Sequence, residues 1–168
     1  MPVQIKVDIV SRENKAAMEA LFKNSLRAPN AVDIGLFQGT TEKDGTPTAM
    51  IAATHEYGSP EKGIPERSFM RSAMHLGKDR INERLRKDIA ALITGRGTKK
   101  MVLSRVGLLA TNLIQARIRS SKSWAKPLAP ITIARKGSTV PLIDTGRMLA
   151  SITYRLEGEQ PKATEMPT

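Results

Sequence analysis

Apolar side chains recur at helical spacing in three stretches of this chain and alternate with polar ones in others. Met18, Leu21, Phe22 and Leu26 stand three and four apart on an otherwise charged segment that Ser11 can cap and Pro29-Asn30 closes, which predicts a helix over 11–27. After Glu66, Phe69, Ala73 and Leu76 share a face, and beyond Gly77 the positions Ile81, Leu85, Ile89 and Leu92 continue a stripe opposite Arg80, Glu83, Arg84 and Lys87. Gly95-Arg96-Gly97 ends that helix. A third amphipathic stretch over 101–119 places Val102, Val106, Leu109, Leu113 and Ile114 on one side.

Extended chain is expected over 31–37, followed by a turn-rich 40–47 and a second strand over 48–57 running back antiparallel. The segment 58–65 holds two glycines and two prolines and is a loop. Residues 131–136 are too short to assign. Over 142–150 the pattern is that of a short helix, with Asp144 or Thr145 accepting from its free amides and Ile143 stapled toward Met148. Residues 151–156 alternate as a half-buried strand, and 157–168 have little to bury, which predicts a flexible tail. The expected fold is α+β: an antiparallel sheet of at least three strands packed against an N-terminal helix and two long central helices, in one domain over 1–156.

Length and composition agree with a single domain, since 168 residues with 40% hydrophobic content can bury one ordinary core. The absence of cysteine excludes disulfide scaffolds, thiolate metal sites and a cysteine nucleophile. No long apolar run opens the chain or approaches a membrane span, so the expectation is a soluble product of the cytoplasm with no membrane partner. Charge changes the picture more. The net charge is +11, and the excess lies in the middle: residues 61–155 hold 20 basic and 6 acidic side chains, with no acid between Asp88 and Asp144. That imbalance favours a polyanion or acidic protein partners. Arg96, Lys99, Lys100, Arg117, Arg119, Lys122, Lys126, Arg135 and Lys136 are the candidates to face DNA or an acidic partner. With only 4% aromatic residues, stacking on single strands is disfavoured, which leaves nonspecific contact with duplex backbone.

Motifs for chemistry are sparse. Asp144-Thr145-Gly146 spells an aspartic-protease signature, but Arg147-Met148-Leu149 after it looks helical, and capping by Asp144 and Thr145 is the preferred reading. His55 and His75 stand twenty apart without a metal-ligand pattern, so no metal is expected. Gly95-Arg96-Gly97-Thr98-Lys99-Lys100 lacks the spacing of a phosphate-binding loop, and no serine elbow occurs. The expectation is a non-enzyme without cofactors.

Two separated patches carry a resemblance. Thr54-His55-Glu56-Tyr57-Gly58, a Gly/Pro loop, and Ile64-Pro65-Glu66-Arg67-Ser68-Phe69-Met70-Arg71 make the first. The second comprises Trp124-Ala125-Lys126-Pro127-Leu128, Thr132, Lys136 and the run from Pro141-Leu142-Ile143-Asp144-Thr145-Gly146 through Arg147-Met148-Leu149-Ala150-Ser151-Ile152. In order and rough spacing they resemble the neck and tail-completion proteins of tailed bacteriophages, also called virion morphogenesis proteins. Ser68 stands where many relatives have proline.

The resemblance implies a structural virion protein at the head–tail junction, made in the host cytoplasm and assembled as a homo-oligomeric ring. Such a ring bridges portal-side or head-completion proteins and tail terminator proteins, and its basic segment could line the DNA exit channel. A closed ring needs heterologous contacts, in which a protruding element of one copy fits a different patch on the next. Lys43 and Asp44 at a hairpin tip, Tyr57, Gly58, Ile64 and Pro65 in and beside the rigid loop, and Arg67, Phe69 and Arg71 after it are the candidate interface residues. Arg67 and Arg71, four apart, are expected on one helix face, ready for a neighbour's carboxylates or for Glu56. The alternative reading is a small basic duplex-DNA-binding protein. A tail terminator and a dimeric aspartic protease rank below it.

Overall fold

The computed structural model describes residues 28–37 and 39–159, so the helix expected over 11–27 and the tail beyond 159 lie outside the described residues. The elements run β1 (Val32–Leu36), α1 (Thr48–Tyr57), a 3₁₀ turn (Pro60–Lys62), α2 (Phe69–Ile93), α3 (Lys99–Arg119), α4 (Ser121–Trp124), α5 (Pro130–Lys136), α6 (Arg147–Ala150) and β2 (Ile152–Leu156). The fold is α+β, and its two long helices stand where the 3.6-residue period puts them, α2 continuing through Gly77 without a break.

The sheet is smaller than expected. Among the described residues it has two strands, β1 and β2, paired antiparallel from Val32 opposite Leu156 to Leu36 opposite Ile152. The third strand assigned to 48–57 is the helix α1. Its buried residues Thr48, Ala52 and Glu56 are spaced four apart, and its three alanines and Met50 favour helix over strand. The turn chemistry before it is real but serves another purpose. Glu42 and Thr46 bond across a tight turn, Thr41 bridges Pro47, and the carbonyl of Pro47 then accepts from Met50 N at 3.0 Å to start the helix. Glu157 to Glu159, assigned to the tail from sequence, are tied down: Glu157 N donates to Ala31 O at 3.1 Å, and Glu159 pairs with Lys100 at 2.6 Å.

The core sits where the start of α2, the second half of α3, α6 and β2 meet. Phe69, Ile114, Ile118 and Ile152 are fully buried there with Leu142 and Met148 beside them, and Leu156 is fully buried at the other end of β2. Each such side chain contributes roughly 1.5–3 kcal/mol on leaving water. Phe69, a candidate for a subunit interface on sequence grounds, therefore belongs to the interior. Strand register puts Val32, Ile34 and Leu36 on the same face as Leu156, Tyr154 and Ile152, and this face packs on α3. On the other face Arg155 pairs with Asp33 at 3.0 Å.

Close approach of α3 to the sheet depends on Gly107. A Cβ there would stand 2.6 Å from the Tyr154 ring and 2.9 Å from Val32 Cγ2. Gly77 also faces α3, but its added Cβ would meet only the mobile end of Leu113. Ala in place of helical Gly gains about 1 kcal/mol in propensity, whereas overpacking a rigid ring costs about 1–3 kcal/mol. Gly107→Ala is thus expected to lower the urea midpoint and Gly77→Ala to leave it unchanged or raise it, as measured by circular dichroism.

Candidate functional site

The two sequence patches fold into one face. Its organiser is Glu56, near the end of α1 and only 4% exposed. The first amides of α2 have no intrahelical acceptors, and Ser68 at the cap position supplies no side-chain bond. The Glu56 carboxylate supplies it instead: Oε2 accepts from Met70 N at 2.8 Å and Oε1 from Arg71 N at 3.0 Å. A negative charge at a helix N-terminus is favoured by the helix dipole as well as by these bonds. Arg71 completes the arrangement. Its Nε donates to Glu56 Oε1 at 3.0 Å, its Nη2 to Glu56 O at 2.9 Å and to Glu66 Oε1 at 2.8 Å, and its guanidinium lies 5.1 Å from the Tyr57 ring centroid.

Arg67 does something different. It precedes α2, so it shares no helix face with Arg71, contrary to the expectation from their spacing. Its amide donates to His55 O at 2.7 Å and its Nε to Lys126 O at 3.1 Å, which joins the first patch to the second. Between them the 58–65 loop is closed rather than open. Ser59 and Ile64 exchange backbone bonds of 2.8 and 2.9 Å around the 3₁₀ turn. Gly58 is required at its entrance, because φ is 75° and a Cβ would lie 2.8 Å from Glu66 N. Tyr57 stays exposed, while Ile64 and Pro65 are half-buried.

Two adjoining cavities of about 420 and 480 Å³ open on this face, sharing His55, Leu128 and Thr132. The smaller carries Glu42, Lys43, Asp44 and Asp144 in its wall, and the larger Lys62, Arg67 and Lys126. Lys43 and Asp44, expected at a hairpin tip, sit in the turn before α1, where Asp44 accepts from Thr46 N at 3.0 Å. That bond holds the Asp44 carboxyl below its ordinary value. Thr145 Oγ1 donates to Glu42 Oε2 at 2.7 Å and accepts from Arg147 N at 3.2 Å, so it does meet the first amide of α6. Gly146, with φ 82°, holds the cap position, and Asp144 is exposed two residues before it. Among the described residues no three His, Asp or Glu side chains gather to hold a metal ion.

The basic side chains do not form one stripe. α3 is 21 residues long, so Arg96, Lys99 and Lys100 at its start stand roughly 30 Å from Arg117, Arg119, Lys122 and Lys126 at its far end. Lys99 donates to Asn30 Oδ1, and Arg119 reaches Gln115 at 3.4 Å. Arg117 is half-buried and engaged within the fold: it stacks 3.9 Å from the Trp124 ring centroid and donates to Ser72 Oγ at 3.0 Å. Arg135 and Lys136 close α5. Lys122 and Lys126 are exposed.

Sequence reasoning missed Asp88. This buried carboxylate on α2 accepts from Arg84 at 2.7 and 2.9 Å and from Arg105 of α3 at 2.9 Å, clamping the two helices. The i, i+4 spacing to Arg84 was readable; the partner across the hairpin was not. Compared with family models, with curated proteins and with solved structures, the chain matches none.

Two outcomes follow from these carboxylates. Removing a cap that also satisfies a guanidinium, by Glu56→Ala, should cost about 2–3 kcal/mol in urea unfolding. Hydrogen bonds from Arg84, then Arg105, hold the Asp88 carboxyl below its ordinary value of 3.8. A lowered folded-state value stabilises above the unfolded one, and the gain is lost as pH falls through the folded one. Asp88→Asn should therefore be less stable than wild type at pH 7, with the difference shrinking below about pH 4. Urea midpoints at pH 7 and at pH 3 check both sign and window.

Proposed function

We propose that this chain is a structural component of the tailed-bacteriophage neck or tail-completion type, which self-associates into a ring and bridges portal-side and tail-side proteins without turnover. The observation that carries this reading is the convergence of the two resembling patches. Residues 54–71 and 124–152 are separated by roughly 70 Å of path out along α2 and back along α3 at 1.5 Å per residue, yet meet through Arg67 and Lys126 on one cavity-bearing face. The face has the mixed character of a partner surface: the exposed aromatic Tyr57 and cavities with opposite charges in adjoining walls.

Binding of duplex DNA is the second reading, supported by the net charge of +11. The division of cations between the two ends of α3, and the internal use of Arg84, Arg105 and Arg117, favour contact with protein instead. Light scattering on the purified chain, alone and mixed with neck proteins of a tailed phage, tests the proposal. The expected result is a closed oligomer of one defined mass, or a stable complex with a neck protein; persistent monomers that bind none contradict it. Fluorescence anisotropy with random duplex across salt separates the second reading, which requires submicromolar binding by the monomer with a steep salt slope.

A further inference from the structure

The larger cavity, about 480 Å³, lies between the 58–65 loop and the Pro127-Leu128-Ala129 stretch. Among the described residues its wall carries Lys62, Arg67 and Lys126 and no acidic residue. Arg67 lies deepest, 5% exposed, with Nε on Lys126 O; among the described residues no carboxylate pairs with its guanidinium, because Glu56 and Glu66 are both taken by Arg71. Burial accordingly pushes Arg67 below its ordinary value. A buried charge without a counter-ion is costly, and a guanidinium retains a planar fork that matches a carboxylate. The surrounding wall supplies Ile64, Pro65, Pro127 and Leu128 as apolar contacts.

We propose that this cavity is a carboxylate-binding site, which takes one Glu or Asp side chain from a segment of a partner protein with apolar residues on either side. The carboxylate meets the free edge of the Arg67 fork. Its apolar neighbours lie against Ile64 and Leu128, and exposed Lys62 and Lys126 draw the acidic segment in. A phosphate of duplex DNA is the weaker occupant, since a duplex presents its phosphates on a convex ridge and Arg67 lies in a recess. The inference goes beyond ring assembly by naming the partner's chemistry, and because it is read on the isolated chain it can fail while the assembly reading stands.

The test is nitrogen-edited NMR of the Arg67 Nε–Hε group in the intact protein, a signal that its bond to Lys126 O shields from exchange. The probes are a blocked Leu-Glu-Leu tripeptide, its Leu-Gln-Leu counterpart, inorganic phosphate and a short random duplex. The expected result is a saturable shift with the Glu peptide, at least about ten-fold weaker binding of the Gln peptide, and no shift with duplex. Arg67→Lys keeps the charge but loses the fork and should weaken the Glu peptide about ten-fold. Lys62→Gln, on the exposed rim, should weaken it about two-fold and reduce its salt dependence. No shift with the Glu peptide, an equal response to the Gln peptide, or tighter binding of phosphate or duplex would overturn the assignment, and the wild-type titration decides even if Arg67→Lys does not fold.

Discussion

The structure depends on one carboxylate set against the open end of one helix. A 25-residue helix whose cap residue offers no side-chain bond begins with unsatisfied amides in a partly buried place. Glu56 satisfies two of them from the preceding helix and binds Arg71 at the same time. This fixes where α1 ends relative to α2. Phe69, the first residue of α2, is thereby directed into the core, and Arg67 is left beneath the 58–65 loop, in reach of Lys126. Gly58 admits the tight passage between the two helices. The Glu56 bonds act together with the bond from Arg67 N to His55 O at 2.7 Å and the Ser59–Ile64 backbone pair, which hold the loop over the cavity beside it.

Charge is organised on a second level. The central excess of lysine and arginine suggested a polyanion or acidic partners, and part of it is distributed into specific pairs. Asp88 holds Arg84 and Arg105 together, Glu159 meets Lys100, and Asp33 meets Arg155. Arg67 is the contrast: it is more buried than any of these arginines and lacks a carboxylate among the described residues. In a protein proposed to act by joining neighbours, a guanidinium held in this way is a place where a partner can do what the chain itself does not.

The long helices were legible because their apolar stripes are continuous over many turns, a signal that local exceptions such as Gly77 do not erase. The β1 and β2 segments were legible as extended chain, but not their pairing, which joins Asp33 to Arg155 across 122 positions. α1 was misread for an identifiable reason. Its buried stripe is Thr48, Ala52 and Glu56, with one apolar member, so the helical period was hidden in polar residues whose burial depends on Thr40 and on α2. The sequence also suggested Glu56 as a partner for Arg71 and flagged Arg67 as a contact residue, yet their different depths follow from where α2 starts. Asp88 escaped notice because its second partner, Arg105, comes from the facing helix.

Hydrogen exchange resolved at single amides, comparing wild type with folded Glu56→Gln, tests most directly whether this carboxylate organises the face. Faster exchange at Met70 and Arg71, extending through the 58–67 loop to the 124–132 segment while the second half of α3 keeps its protection, is the predicted result. Unchanged protection at Met70 and Arg71, or a change confined to those two amides, would contradict the account.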